Sequence, residues 1–343
     1  MALPTRRLEG IGSTMDQEVK PWGRLALIFP GQGSQHVGMG QRLAQVSKAA
    51  RDIFQRADEV LDRNLSRLCW EGPAEELEST ANQQPASFVT SVAWLEALKE
   101  RWAALDRKLE PVVFAGHSMG EFTAAVAAGS LGFDEGLHLV SERGRLMGEA
   151  GTENPGGMAS ILGLPEEKVL EICAEASREG YVGLANANCD GQNVISGYLK
   201  PLKIAMELAE KAKARKVVRL PITIGSHSPL MAKASEGMNS LLQKMHIKDP
   251  VAPLVGNVTA DVLTTADEVY CELRDQLTHG VLWQRSIERM RDLGTDMFME
   301  IGPGNVLTKL VRRIDYEINS ISISDDYEGL LSERFQLVEG AAS

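Results

Sequence analysis

The residues best suited to chemistry are a serine between glycines, Gly-His-Ser-Met-Gly at 116–120. An apolar run at 111–116 leads into this pattern and an alanine-rich segment at 121–131 leads out of it, which predicts a strand, a tight turn and a helix. Such a turn exposes the serine hydroxyl, and the glycines leave room where the strand and the helix fold back closely. A serine that only caps the helix is the alternative interpretation. We predict that Ser118 is a nucleophile.

An activated serine needs a general base whose pKa is near neutrality, which is usually a histidine. His227 lies among small residues in Gly-Ser-His-Ser-Pro at 225–229, where its ring is free to reach a cleft. Spacing alone supports a structural histidine equally well. His117 is next to Ser118, but neighbouring side chains on an extended segment point to opposite sides, so we expect it to face the interior. The histidines of the chain are His36, His117, His138, His227, His246 and His279.

Arg143 combines a charge with an apolar helix face. On the predicted helix at 135–150 its neighbours three and four residues away are Leu139, Val140, Leu146 and Met147. An inward guanidinium is costly unless it meets an anion. That anion is either a carboxylate of the protein or one of a substrate. Arg145, by contrast, has the polar neighbours of a solvated face.

The pattern of apolar runs predicts an α/β scaffold with a mainly parallel sheet covered by helices. Residues 1–22 are expected to be a disordered extension, and residues 23–152 with 224–343 to form the large catalytic subdomain. Between them, residues 153–223 have the strand and helix order of a small ferredoxin-like module. The predicted strands cover 24–29, 111–116, 156–164, 181–186, 193–197, 217–220 and 297–301, and the predicted helices 40–61, 85–104, 121–131, 135–150, 165–177, 201–213 and 306–314.

Composition argues against several classes of function. The 343 residues are 43% hydrophobic, enough for a large core, and their formal net charge of −11 argues against nonspecific nucleic-acid binding. No stretch approaches the ~20 apolar residues of a membrane span, so no membrane partner is expected. The cysteines form no Cys-x-x-Cys pair, which predicts reduced thiols in the cytoplasm and no metal site. They are Cys69, Cys173, Cys189 and Cys271.

Three other functions fit parts of the sequence. Gly-Gln-Gly at 31–33 follows a predicted strand, as in a dinucleotide-binding oxidoreductase, but the third glycine is missing and Pro30 precedes the loop. A serine esterase shares the nucleophile and the base but leaves Arg143 unexplained. The third alternative is a noncatalytic binding module, in which Ser118 and His227 are dispensable for function.

Several motifs together resemble the malonyl-CoA:acyl carrier protein transacylase family. They occur in the order of that family and cover about residues 24–325. The resemblance implies an α/β-hydrolase-like core with an inserted ferredoxin-like subdomain. The motifs are FPGQGSQ at 29–35, QPA at 84–86, GHSMGE at 116–121, RG at 143–144 with Met147, NVISG at 193–197, HSPLM at 227–231 and EIGPG at 300–304.

The resemblance also implies roles for the catalytic residues. The residue that matches Ser118 carries the acyl group in that family, and the one that matches His227 is its base. A backbone carbonyl, rather than an aspartate, orients the base, and Gln276 matches that position. The oxyanion hole is similar to that of other acyl-transfer enzymes, with the amides of Gln32 and Met119 in the matching places.

For the substrates, Arg143 matches the arginine that holds the free carboxylate of malonyl groups through a planar fork of donors. Asn186 lies where the family has a loop that lines the cleft. The implied reaction moves a malonyl group from a CoA thioester, malonyl-CoA, to the phosphopantetheine thiol of acyl carrier protein, without a cofactor, in a monomer that serves fatty-acid synthesis. A discrete polyketide acyltransferase is the nearest alternative, and a serine thioesterase a more remote one.

The expected carrier protein is acidic, and so is this chain, so we expect a local basic patch to attract the carrier. Two clusters are candidates for this docking patch, and each is also compatible with an ordinary solvated helix end. One consists of Lys211, Lys213, Arg215 and Lys216, and the other of Lys309, Arg312 and Arg313.

Overall fold

The computed structural model describes residues 24–324, so the extension predicted at 1–22 lies outside the described residues. The strands in this range are β1 (Leu25–Phe29), β2 (Val113–Gly116), β3 (Gly156–Leu162), β4 (Val182–Cys189), β5 (Gln192–Tyr198), β6 (Lys216–Arg219), β7 (Leu254–Val255), β8 (Val262–Leu263), β9 (Met297–Glu300) and β10 (Asn319–Ser322). The helices are α1 (Gln41–Val46), α2 (Lys48–Leu61), α3 (Leu65–Glu71), α4 (Ala74–Leu77), α5 (Thr80–Ala103), α6 (Gly120–Ala127), α7 (Phe133–Glu153), α8 (Glu166–Ala176), α9 (Leu199–Lys211), α10 (Ala232–Leu242), α11 (Ala266–Asp275), α12 (Trp283–Asp292) and α13 (Val306–Ile314), with short 3-10 helices at Ser177–Glu179 and Pro229–Met231. In this part of the chain no helix has the length and apolar character needed to cross a bilayer.

A six-stranded sheet forms the centre of the larger part of the molecule, in the order β10-β9-β1-β2-β7-β8. The first five strands in this order are parallel, and β8 is antiparallel to β7. Side chains of β1 alternate between two cores. Leu25, Leu27 and Phe29 belong to one, and Ala26 and Ile28 to the other. The sheet is therefore covered on both faces, as an apolar parallel sheet requires.

The carboxyl ends of the parallel strands meet at one edge of this sheet. β1 leads into the loop with Gln32, β2 into the turn with Ser118, and β7 into the loop with Asn257. Because β2 pairs with both β1 and β7, these three loops lie side by side. Open α/β sheets place their ligand sites outside this edge.

A second sheet, within residues 156–219, is antiparallel and has the order β4-β5-β3-β6. One face packs against α8 and α9, with Ile161, Val169 and Leu202 in its core. The other face carries Met158, which forms a separate small cluster with Ala185 and Val194. This second cluster faces the cavity described below.

The predicted helices that differ most from the structure are those at 40–61 and 85–104. The helix predicted at 40–61 is divided at Ser47, whose extended backbone ends α1 and whose hydroxyl caps α2 by accepting from the Ala50 N–H at 3.0 Å. The helix predicted from Pro85 begins at Thr80 instead. A proline in the second turn removes only one hydrogen bond near the helix start, so the helix accommodates it.

Candidate active site

Ser118 lies on the sharp turn between β2 and α6. Its φ of 53° is in the left-handed region, which a residue other than glycine adopts at a cost. A Cβ on Gly116 would lie 2.0 Å from the carbonyl carbon of Gly120, and one on Gly120 would lie 2.1 Å from the carbonyl oxygen of Phe29. Glycine at both positions allows the turn to be this tight and places Ser118 at the wall of a cavity.

His227 contacts the serine hydroxyl. Ser118 Oγ lies 2.8 Å from His227 Nε2. The other ring nitrogen, Nδ1, lies 3.0 Å from the carbonyl oxygen of Gln276 and 3.1 Å from that of His279. These two acceptors assign the ring proton to Nδ1, so Nε2 is free to accept from the serine hydroxyl. His279 therefore contributes to the site through its backbone carbonyl.

Burial keeps His227 uncharged. Burial first, and the positive charge of Arg143 second, lower the pKa of His227 to about 3, while the carbonyls of Gln276 and His279 act in the opposite direction. His227 also has a left-handed backbone, with φ 57°. A neutral imidazole in contact with a hydroxyl is in the protonation state that a general base requires.

The guanidinium of Arg143 is fully buried and forms no ion pair within residues 24–324. Its Nη1 donates to Gln84 Oε1 at 2.7 Å, and its Nη2 donates to Gln276 Oε1 at 2.8 Å and to Ser118 Oγ at 3.1 Å. Its Nε has no hydrogen-bond partner in the described part of the chain. Burial lowers the pKa of Arg143 to about 10, so it stays charged at neutral pH. The charge of Glu121 acts on this cation from beyond its hydrogen-bond partners, all of which are neutral. A buried cation without a directly bound anion is suited to receive one.

The amides of Gln32 and Met119 belong to neighbouring segments. Gln32 follows β1, and Met119 directly precedes α6. The loop of Gln32 touches the turn, since a Cβ on Gly31 would lie 2.7 Å from the carbonyl oxygen of His117. Within residues 24–324 neither amide donates to a protein acceptor. Unpaired amides beside a helix N-terminus are suited to an anionic oxygen.

His117 and Asn186 meet where the small sheet borders the cavity, a position that was not predicted for His117. His117 lines the same cavity as Ser118, with Nε2 2.9 Å from Asn188 Oδ1 and 3.3 Å from Asn186 Nδ2, and its ring packs edge-on against Trp283. The turn is left-handed at Ser118, so the alternation of an extended strand does not apply. Asn186 lies in β4, in agreement with the strand predicted at 181–186 and not in the loop that the family resemblance implied. Its buried Oδ1 has no partner among the described residues.

A cavity of about 290 Å³ opens at Ser118 and His227. The loop at 30–34 lines one side of it, and side chains from the small sheet and α13, among them Met158 and Leu310, line another. The cavity thus lies between the two sheets. Gln32, Ser118, His227 and Asn186 line it, whereas Arg143 contacts the Ser118 hydroxyl without being part of the lining.

Sequence reasoning missed a polar group beneath Ser118 that consists of Asn257, Glu121 and Glu272. All three are at least nine-tenths buried. Glu121 is in the first turn of α6. Acidic residues are common in the first turn of any helix, so its presence there is not distinctive. Asn257 reaches Ser118 from 139 residues further along the chain. No local pattern in the sequence signals such a contact.

The acyl transferase domain family matches residues 26–322, and the chain belongs to this family. The malonyl CoA-acyl carrier protein transacylase of Bacillus subtilis is 41% identical over 303 residues, which are 88% of this chain and 94% of that protein. The acyl-carrier-protein-S-malonyltransferase from Bartonella henselae has a similar structure, with a TM-score of 0.87 and 35% identity over 92% of this chain and 99% of that chain. A type II PKS acyl-carrier protein in complex with its malonyl-transacylase gives a TM-score of 0.85 and 34% identity over 90% of this chain and 98% of that chain.

Proposed function

We propose that the protein transfers a malonyl group from malonyl-CoA to the phosphopantetheine thiol of an acyl carrier protein, and that Ser118 carries the group in between. The relative from Bacillus subtilis has the name of such a transacylase. The observation that carries the proposal is the environment of Arg143. Its buried cation has only neutral hydrogen-bond partners and lies 3.1 Å from the serine oxygen that would bear the acyl group.

A malonyl ester on Ser118 suits this arrangement because only one methylene separates its free carboxylate from the ester carbonyl. The carboxylate therefore stays within reach of Arg143, whose fork of donors matches it. An acetyl ester would leave the guanidinium without an anion. The carboxylate would also offset the charge of Arg143, which is the second cause of the low pKa of His227. The preferred substrate thus strengthens its own base.

In the first half of the reaction, Ser118 Oγ attacks the thioester carbonyl and His227 Nε2 takes the hydroxyl proton. The carbon–sulfur bond breaks, and the CoA sulfur leaves with the proton from His227. In the second half, the carrier thiol gives its proton to His227 and its sulfur attacks the ester. The serine oxygen leaves and takes the proton back. This order of events predicts ping-pong kinetics.

Four other residues support these steps. The amides of Gln32 and Met119 stabilise the anionic oxygen that forms in each half-reaction. The carbonyl of Gln276 holds the ring proton of His227 on Nδ1. Asn186, which lines the cavity, contacts the substrate. Because only an acyl group and protons move, we propose that neither a cofactor nor a metal takes part.

The finer description of the fold is part of the proposal. An α/β-hydrolase-like core comprises 23–152 and 224–343, which the parallel sheet and the turn after β2 support. A ferredoxin-like subdomain comprises 153–223, which the antiparallel order β4-β5-β3-β6 supports.

The free thiols of the four cysteines support a reducing cytoplasm. Size-exclusion chromatography with light scattering tests whether the protein is a monomer.

Fatty-acid synthesis is the pathway that we propose for the reaction. A discrete polyketide acyltransferase is the second candidate, which the similarity to the type II PKS complex supports. Transfer of labelled malonyl to purified carriers of both kinds distinguishes the two. At least tenfold higher kcat/KM, about 1.4 kcal/mol, for the polyketide carrier would move the assignment to that pathway.

For carrier docking, we propose the patch on α13. Val306 and Leu310 of this helix line the cavity, so the exposed face beside them, with Lys309, borders the opening. Arg312 is bound to the backbone of Ser320 and contributes less. Lys309→Glu should raise the KM for the carrier and leave hydrolysis of malonyl-CoA unchanged. The same change at Lys211, at the end of α9, is the matched control, and a larger effect there would transfer the docking site to that cluster.

Intact-protein mass spectrometry tests the proposed function directly. Brief incubation with malonyl-CoA should add one malonyl group to the protein, and carrier protein should remove it. Ser118→Ala should gain no such group. An equal adduct on Ser118→Ala would place the acyl group on another residue and end the assignment.

A further inference from the structure

The turn that carries Ser118 is held from below by a side chain from the loop after β7. Asn257 Oδ1 accepts a hydrogen bond from the Ser118 N–H at 2.7 Å, and its Nδ2 donates to the Gly116 carbonyl, also at 2.7 Å. One amide side chain therefore bonds to the backbone on both sides of His117. These two bonds lie directly before Ser118, the residue whose backbone is left-handed.

Asn257 is fully buried and is itself fixed by its neighbours. Its backbone N–H donates to Glu121 Oε1 at 2.9 Å and to Glu272 Oε1 at 2.7 Å, and its Nδ2 donates to Glu121 Oε1 at 3.0 Å. Its carbonyl accepts from the Leu282 N–H at 2.8 Å. Each of its polar groups thus has a partner, which leaves the side chain one favourable orientation.

The two carboxyl groups interact with each other. Burial, followed by the neighbouring charge of Glu272, raises the pKa of Glu121, and burial raises the pKa of Glu272. Two buried carboxyl groups in contact avoid mutual repulsion by sharing a proton. Gln276 joins the group, since its Nε2 donates to Glu121 Oε2 and to the Ser118 carbonyl. The loop that orients the base is therefore tied to the same cluster as the turn.

We propose that Asn257 is a positioning residue for the nucleophile. It holds the Ser118 turn in the conformation that directs Oγ toward His227 Nε2, and Glu121 and Glu272 hold Asn257 in place. The inference rests on the proposed function, because it takes Ser118 to be the nucleophile. It also assigns the Ser118 amide to Asn257, so that amide is not free to bind the anionic oxygen of the intermediate.

Asn257→Ala tests this role against the matched control Asn193→Ala. Asn193 is also buried, and its Nδ2 donates to the Leu164 carbonyl at 3.2 Å, in the small sheet. Both changes remove a buried amide, so both should lower the melting temperature. Only Asn257→Ala should slow Ser118 acylation at saturating malonyl-CoA, by about tenfold or more with little change in KM. A folded Asn257→Ala that acylates within about twofold of the control overturns the inference.

Asn257→Asp adds a second measurement, the pH dependence of the acylation rate, which a purely structural role would leave unchanged. A protonated aspartic acid can donate as the amide does, whereas an aspartate turns a second anionic oxygen toward Gly116 and Glu121. Glu121 and Glu272, the titratable groups that contact position 257, hold its pKa high. The acylation rate relative to wild type should therefore recover as the pH falls from about 8 to about 5. A ratio that does not change with pH overturns the inference, whether or not Asn257→Ala folds.

The wild type separates this inference from the proposed function. If malonyl-CoA does not label Ser118 in the wild type, the proposed function fails. If Ser118 is labelled and both Asn257 variants label it at the wild-type rate, only the positioning role fails.

Discussion

The two sides of the cavity are built in different ways. Beneath Ser118, the polar groups of Asn257 and the side chain of Gln276 are paired within a buried network that also holds charged groups. On the side of the small sheet, the wall consists of apolar residues such as Met158 and of Asn186, whose Oδ1 has no partner among the described residues. A member of a satisfied network cannot change alone without leaving a buried polar group unpaired, whereas a wall residue can. We infer that the network determines the reaction and the wall determines the fit of the substrate.

The largest effect should come from His227, the proposed base. His227→Ala should slow malonyl transfer by ~10²–10⁴-fold, because general-base assistance is typically worth that much. Steady-state transfer to the carrier measures this, with His138→Ala, an exposed helical histidine, as the control. Transfer by His227→Ala near the wild-type rate would point to the ring of His117 or His279 as the base.

The next largest effect concerns the class of substrate. Arg143→Ala should change the preference for malonyl over acetyl by roughly 100-fold, because a buried carboxylate without its cation costs several kcal/mol. Lysine at this position should rescue only part of the malonyl activity, since an ammonium lacks the planar fork. Rates with malonyl-CoA and acetyl-CoA measure the effect.

The control for this test is Arg145→Ala, two residues further along α7, where the guanidinium is exposed and pairs with Glu142 and Glu149. Equal losses of malonyl and acetyl transfer in Arg143→Ala would show that Arg143 is structural. The malonyl assignment would then depend on the relatives alone.

A substitution in the wall on the side of the small sheet should have a smaller effect, and on KM rather than on kcat. Asn186→Ala should raise the KM for malonyl-CoA by about fivefold, which corresponds to one hydrogen bond of about 1 kcal/mol, and leave kcat within about twofold. Steady-state kinetics with malonyl-CoA separate the two parameters. A collapse of kcat with unchanged KM would mean that the small sheet takes part in the chemistry, which would contradict the comparison.

The smallest effect concerns stability and pH. Because Glu121 and Glu272 both have raised pKa values, the folded protein keeps a proton that the unfolded chain has lost above about pH 4.5. Stability from this pair is therefore present at low pH and decreases as the pH rises. Glu272→Gln removes one of the two acids and should melt about 2–4 °C higher than the wild type at pH 8.

That difference should shrink as the pH falls to about 4.5 and below, because the carboxyls of the unfolded chain then also take up protons. Calorimetry across this range measures the trend, with the exposed Glu288→Gln on α12 as the control. A stabilisation by Glu272→Gln that grows as the pH falls would contradict a shared proton.

Local patterns were enough to predict much of the fold and part of the site. The strand before Ser118 and the helix after it follow from apolar runs, and the inward face of Arg143 follows from helical spacing. The two-residue strands β7 and β8 are too short to show a period. Contacts such as those of Asn257, or of the His279 carbonyl with His227, join distant segments through main-chain atoms, and residue type gives no sign of them.

The left-handed backbone at Ser118 and His227 has a consequence for the evolution of this chain. That conformation costs a residue with a Cβ roughly 1 kcal/mol or more of free energy, whereas glycine adopts it without this cost. Selection for acyl transfer therefore maintains two residues that the fold alone would replace. A duplicate copy released from that selection should drift toward glycine at both positions and melt at a higher temperature as it loses activity.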